Sequence, residues 1–279
     1  MKKTTRSNLY GIIIIIWGVV FSLTLGIAMA KNDFSVYLST AIGQIMIFLL
    51  PAIIYFMITK LPVKETLRFN KIKLKDVILI ILIGITLQPL VMGLSGLSSF
   101  IIPNSFGQVI SQPVTNSSLW VTLFVIGIIP ALLEEITFRG IVLSGYNDSS
   151  IRKAAICTSI YFAIMHYDLQ RLLYTFVLGS IFVYLVRITN SIFSSMLCHG
   201  VVNSVQMIFL KIVLTASNSG EAAAESSQSL KNMPAEQMMG TIITFVIFIA
   251  VGGILTYLLI RKLKKNNSYE AMEVKAANL

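Results

Sequence analysis

The sequence predicts an all-α integral membrane protein, a polytopic bundle of about eight transmembrane helices with both termini cytoplasmic. Three observations carry that prediction. Of 279 residues, 56% are hydrophobic and only 12% charged, where a soluble chain carries about 25% charged residues; mean hydropathy is +0.82. The apolar residues come in long unbroken stretches rather than in an amphipathic period of 3.6 residues. The basic residues fall in alternate loops, as the positive-inside rule requires of a multi-pass protein.

The apolar stretches are 9–30, 37–59, 77–97, 119–142, 151–166, 172–186, 192–214 and 241–260. The first follows Lys2, Lys3 and Arg6 and ends in Ala28-Met29-Ala30, the outline of a signal peptide. Its apolar run exceeds the usual 7–15 residues, so it reads as a retained helix. The second and third flank a basic loop from Lys60 to Lys75. The fifth and sixth are short against the roughly 20 residues a bilayer needs; read as a re-entrant pair they would leave the topology unchanged. Arg152, Lys153 and Arg187 flank them, and Arg261, Lys262, Lys264 and Lys265 close the eighth. The opposite loops hold little beyond Lys31, Arg171, Lys211 and Lys231, and the loop 215–240 carries Glu221, Glu225 and Glu236.

The net charge of +10 would suit nucleic acid, but its distribution suits anionic lipid, and no nucleic-acid partner is expected. Cys157 and Cys198 lie in apolar stretches and imply no disulfide framework. The connections 98–118 and 215–240 read as mobile extracytoplasmic loops. Residues 1–265 form a single integral membrane domain with its chemistry in 119–214, and 266–279 a disordered cytoplasmic tail. The protein is expected in the cell membrane of a prokaryote or the endoplasmic reticulum membrane of a eukaryote.

Charges and imidazoles are costly in lipid, so those inside the spans point to function. They are few: Glu134, Glu135 and Arg139 on one predicted helix, and the chain's two histidines, His166 and His199, on two others. Glu135 and Arg139 are four apart, share a helix face and can pair. Glu134 points about 100° away and has no opposite charge at i+4, which leaves its carboxyl to work as a general base beside an imidazole. Pro130 removes a backbone bond and is expected to distort this helix. His199 and Asn203 are also four apart, as are Phe162 and His166.

Depth supports convergence. Glu134 lies ten residues inside Ser144, His199 nine inside Asn190 and His166 thirteen beyond Lys153; at about 1.5 Å per residue these are depths of roughly 14–20 Å. Any one of these residues taken alone could be interhelical glue. Two carboxylates, two imidazoles and a carboxamide at matching depth argue for a site. Ser194, Ser195 and Ser204 come with no nucleophile motif.

With those residues in place, the chain resembles the CAAX prenyl endopeptidases and bacteriocin-processing proteins, the CPBP or ABI family of intramembrane proteases. The family signature is two adjacent glutamates followed by an arginine, then Phe-x-x-x-His, then His-x-x-x-Asn or Asp. Here it reads Glu134-Glu135-Ile136-Thr137-Phe138-Arg139, Phe162-Ala163-Ile164-Met165-His166 and His199-Gly200-Val201-Val202-Asn203. The resemblance implies an eight-helix fold with a cavity opening towards the cytoplasm and the lipid. It implies that Glu134 acts with His166 to activate water for attack on a peptide carbonyl, and that His199 and Asn203 hold the oxyanion. Glu135, Arg139 and Phe162 would be supporting residues. The implied partners are membrane lipids and a peptide or protein substrate, with or without a prenyl group, and no cofactor is implied.

Two other chemistries use the same residues. Glu134, His166 and His199 make up a recognised catalytic zinc set, although no HExxH motif is present. A transporter could relay protons through them, but the sequence offers no inverted repeat. A chain retaining the motif as an inactive scaffold or immunity protein is the remaining reading.

Overall fold

A computed structural model describes residues 2–32, 34–216 and 233–277, with the side chains of 30, 105, 108 and 269–277 left aside. Glu221, Glu225 and Lys231 lie outside the described residues, as does the stretch 217–232 of the predicted 215–240 loop. Among the described residues every regular element is helical. Helix α1 spans Lys3–Asn32, α2 Val36–Thr59, α3 Val63–Leu67, α4 Leu74–Ser99, α5 Ser105–Asn116 and α6 Leu119–Val142. Then follow α7 Ile151–Ile164, α8 Leu172–Thr189, α9 Ile192–Ala216 and α10 Ala235–Ala277. The last helix continues past Lys265, where the sequence reading ends the membrane domain.

Seven of these helices are long and apolar enough to cross a bilayer, and this is an integral, multi-pass membrane protein. Their outward faces carry Ile16, Met57, Trp120 and Ile254 at 59–80% exposure, an apolar exterior whose matching solvent is lipid. The eighth predicted span, α7, has 14 residues, about 21 Å of helix. Its neighbours show how far it reaches.

Helices α7 and α8 form an antiparallel hairpin. At one end Arg187 donates to the carbonyls of Asn147, Tyr146 and Ser149. At the tip, the Gln170 amide donates to Ser95 O, Ser95 Oγ and Ser99 Oγ at the C-terminal end of α4. The hairpin thus runs the length of α4 and returns, so α7 and α8 change the topology together or not at all. Tyr167, at φ 51°, makes the left-handed turn that ends α7 just beyond His166. Gly18 of α1 lets this tip pack close, because a Cβ there would meet the ends of Met165 and Tyr167.

The basic loops gather at the other end of the bundle. Lys3 pairs with Asp148, Arg68 donates to Asn147, Asn70 to the Asn190 carbonyl, and Asn267 to Asp76. The start of α1 and the late part of α10 are therefore on the same, basic side, which the positive-inside rule makes cytoplasmic.

The opposite end differs from the sequence expectation. The connection 98–118 is not simply a loop: α5 occupies most of it, with the Asn104 side chain accepting from Gly107 N as its N-cap. Ile110 and Val114, four apart on α5, pack with Ile126, Met207 and Leu214. Lys211 closes the other end of α5 by donating to the carbonyls of Val114, Thr115 and Ser117, a cation placed on the carbonyl end of a helix dipole. Polarity and Pro113 suggested a loop, but cap and anchor make a helix.

Two of the long helices carry a wide π turn just ahead of a proline: 45–49 before Pro51 in α2, and 123–128 before Pro130 in α6. A proline supplies no N–H and crowds the carbonyl four residues back, and a widened turn relieves both. A third π stretch, 136–142, directly follows Glu134 and Glu135. The distortion expected from Pro130 is present, and it brackets the acidic pair.

Candidate active site

Glu134, His166, His199 and Asn203 come from three helices and line one cavity of about 260 Å³. Glu134 is 8% and His199 4% exposed, and His166 is partly buried. Glu135, Arg139 and Phe162 do not line it. They form a fully buried layer immediately behind.

That rear layer is built around Arg139. Its Nη1 lies 3.1 Å from Glu135 Oε1 with both side chains fully buried, the pair expected from their spacing. Nη2 donates to the Gly179 carbonyl at 3.2 Å. The guanidinium carbon sits 4.2 Å from the centre of the Phe162 ring and 5.1 Å from that of Phe182, so aromatic faces supply part of what solvation would. Glycine at 179 eases this approach, since a Cβ would crowd Ser159 at 3.0 Å and Phe162 at 3.2 Å.

The same Glu135 oxygen also accepts from His199 Nδ1 at 3.0 Å. Glu135 is therefore more than Arg139's counter-ion, because it fixes the orientation of an imidazole in the cavity wall. The Phe182 ring stacks on His199 at 5.0 Å and an interplanar angle of 27°. With Nδ1–H given to the carboxylate, Nε2 is the atom left for chemistry.

His166 is held differently. Its Nδ1 donates to the Phe162 carbonyl at 2.8 Å, and the Phe162 ring meets it edge-on at 4.9 Å. The proton on Nδ1 leaves Nε2 as an acceptor, suited to taking a proton. Phe162 thus serves both layers, with its ring under Arg139 and its carbonyl on His166.

Glu134 Oε1 accepts from Gln44 Nε2 at 3.0 Å. Among the described residues no hydrogen bond joins Glu134 to His166; the two meet only across the cavity. Asn203 Nδ2 is 3.5 Å from the Ile126 carbonyl. That carbonyl belongs to the widened turn ahead of Pro130.

The cavity extends from the level of Glu134 and His199 towards the end away from the basic loops. There its lining includes Ser22 of α1, Thr40 at the start of α2, Phe106 of α5 and Arg171 at the hairpin tip. Helix α5, in the predicted loop 98–118, contributes Phe106 to the wall on this side. The resemblance implies an opening towards the cytoplasm and the lipid.

Gln44, Phe182, Gly179 and Arg171 were missed by the sequence reading. Gln44 gave a signal, as a long polar side chain inside the apolar run 37–59. Phe182 and Gly179 gave none, since both suit any membrane helix. Among the described residues no three His, Cys, Asp or Glu side chains stand close enough to hold a metal ion. Glu134, His166 and His199 share the cavity without forming a ready zinc set.

Fold and site together are those of a multi-pass membrane protein whose buried ionisable side chains gather around one cavity. Residues 116–205 match the model of a family described as type II CAAX prenyl endopeptidase Rce1-like. Through that segment, which carries all three motifs, the chain is similar to CAAX prenyl endopeptidases. No curated protein and no solved structure matches the chain.

Proposed function

We propose that the protein is a metal-independent intramembrane endopeptidase in which Glu134 and His166 activate water. The observation that carries this reading is the pairing of four motif side chains around one 260 Å³ cavity with the separation of Glu134 from Arg139. Glu135 takes up the arginine, so Glu134 is free to face the substrate.

In this mechanism a water between Glu134 and His166 gives up a proton as its oxygen attacks the peptide carbonyl. Nε2 of His166 and the Glu134 carboxylate are the two acceptors within the cavity. Negative charge moves to the carbonyl oxygen, and the Asn203 amide and His199 donate to it. To do so His199 carries a proton on Nε2 while Nδ1–H stays with Glu135, an imidazolium held by a carboxylate. The C–N bond then breaks, the abstracted proton passes to the leaving nitrogen, and acid and amine are released.

The substrate is proposed to be a lipidated or membrane-associated peptide, consistent with a site set in the bundle interior. Purified full-length protein incubated with peptides that accumulate in a strain lacking it tests the reading. Wild-type protein should cleave a subset of them, and the Glu134→Gln protein none. Normal cleavage by Glu134→Gln would remove Glu134 from the role of base.

A further inference from the structure

Among the described basic side chains that are partly or fully buried, Arg68 donates to Asn147 and three others have several acceptors each. Arg139 has Glu135 and the Gly179 carbonyl, Arg187 three carbonyls and Lys211 three carbonyls. Arg171 is different. Its Nε donates to the Tyr174 hydroxyl at 2.7 Å, and its guanidinium carbon lies 4.1 Å from the centre of the Phe106 ring. Among the described residues its two terminal nitrogens make no hydrogen bond or ion pair. Asp168, three residues earlier, turns its side chain to the backbone N–H of Gln170 instead.

Arg171 also lines the cavity that holds Glu134, His166, His199 and Asn203. Tyr174 and Phe106 fix the plane of the guanidinium without using its fork. A cation kept partly out of water and held in one orientation is set to receive an anion. Glu134, the acid in the same cavity, is within electrostatic reach of Arg171 but forms no ion pair with it, and its Oε1 accepts from Gln44.

We infer that Arg171 forms an anion subsite in the part of the cavity away from the basic loops and binds a carboxylate of the peptide substrate through its two terminal nitrogens. A planar fork meets a carboxylate by two parallel N–H···O bonds. The carboxylate comes either from an acidic side chain or from the peptide's own C-terminus, and the chemistry is the same for both. This inference rests on the proteolytic reading for calling the bound peptide a substrate. Binding of a carboxylate does not depend on cleavage.

The test uses full-length Glu134→Gln protein in lipid nanodiscs, which separates binding from turnover. Three pools of fluorescent random octapeptides are offered: free C-terminus without acidic residues, amidated C-terminus with one Glu, and amidated C-terminus without acid. One carboxylate pool should be retained at least about tenfold better than the neutral pool, and which pool it is identifies the source. Adding Arg171→Gln should bring its retention down to that of the neutral pool, while Arg171→Lys, which keeps the charge but loses the fork, should fall between. Tyr174→Phe, which frees the guanidinium without removing it, should cost several-fold and gives a second reading if Arg171→Gln does not accumulate. Equal retention of all pools, or a carboxylate preference that survives both Arg171→Gln and Tyr174→Phe, overturns the subsite. If the subsite binds as described while wild-type protein cleaves none of the retained peptides, the proteolytic reading fails and the subsite stands.

Discussion

Glu134 and Glu135 are neighbours in sequence on one helix, and their surroundings could hardly differ more. Glu135 is fully buried, touches Arg139 and His199 through a single oxygen, and has a wall of aromatic rings around its partners. Glu134 looks into a cavity and, among the described residues, has a neutral amide as its one hydrogen-bond partner and no bond to His166. One helix step of about 100° separates a carboxylate locked in an ion pair from one facing a cavity, the one proposed to be reactive. Charge neutralisation and chemistry are given to adjacent residues, so neither has to compromise the other.

That contrast predicts which substitutions remove activity alone and which remove the fold with it. The largest effect is expected at the cavity. Glu134→Gln or His166→Ala should lower kcat by 10²-fold or more while membrane abundance and thermal stability stay near wild type, since general acid–base groups contribute about 10²–10⁴-fold. Peptide cleavage measured beside detergent-solubilised melting curves checks both halves.

Behind the cavity the order reverses. Arg139→Leu leaves Glu135 a buried carboxylate without its cation, a loss of about 3–5 kcal/mol. Its first sign should be low accumulation and a lowered melting temperature. Glu135→Gln should behave similarly and also release His199. A stable, abundant Arg139→Leu protein would break the division between the two layers.

The oxyanion donor Asn203 is expected to matter up to as much as the water-activating pair, and Gln44, which aims Glu134, the least. Asn203→Ala should lower kcat by about 10²–10³-fold, the usual cost of losing one oxyanion donor, with KM little changed. Gln44→Leu removes the single hydrogen bond to Glu134 and should cost about tenfold in kcat/KM, corresponding to about 1.4 kcal/mol. The direction of the cavity is tested without catalysis. In a chain with Cys157 and Cys198 replaced by alanine, Thr40→Cys should react with a membrane-impermeant thiol reagent added outside intact cells, and Lys64→Cys should not.

The sequence made the spans and motif residues legible because their signals are local. Apolar run length, loop charge and i,i+4 spacing need no tertiary information, and they located all four cavity side chains. What they could not carry depends on other helices. The second use of Glu135, as the acceptor for His199, joins residues 64 apart in sequence. Helix α5 was hidden by its polarity and Pro113, because it is held by Lys211 on α9 and by packing on Ile126 and Met207. Since α5 and the hairpin tip line one part of the cavity, that part of its wall was hidden with it. Pro130 was read for its kink, but the contact of Asn203 with the Ile126 carbonyl appears only once α9 lies alongside.

The central claim is that Glu134, and no metal ion, activates the attacking water. Purified full-length wild-type and Glu134→Gln proteins, both treated with a strong chelator, should be compared on one cleavable peptide. The account predicts undiminished wild-type cleavage and none by the folded variant. Cleavage lost on chelation and restored by zinc, or retained by Glu134→Gln, would contradict it.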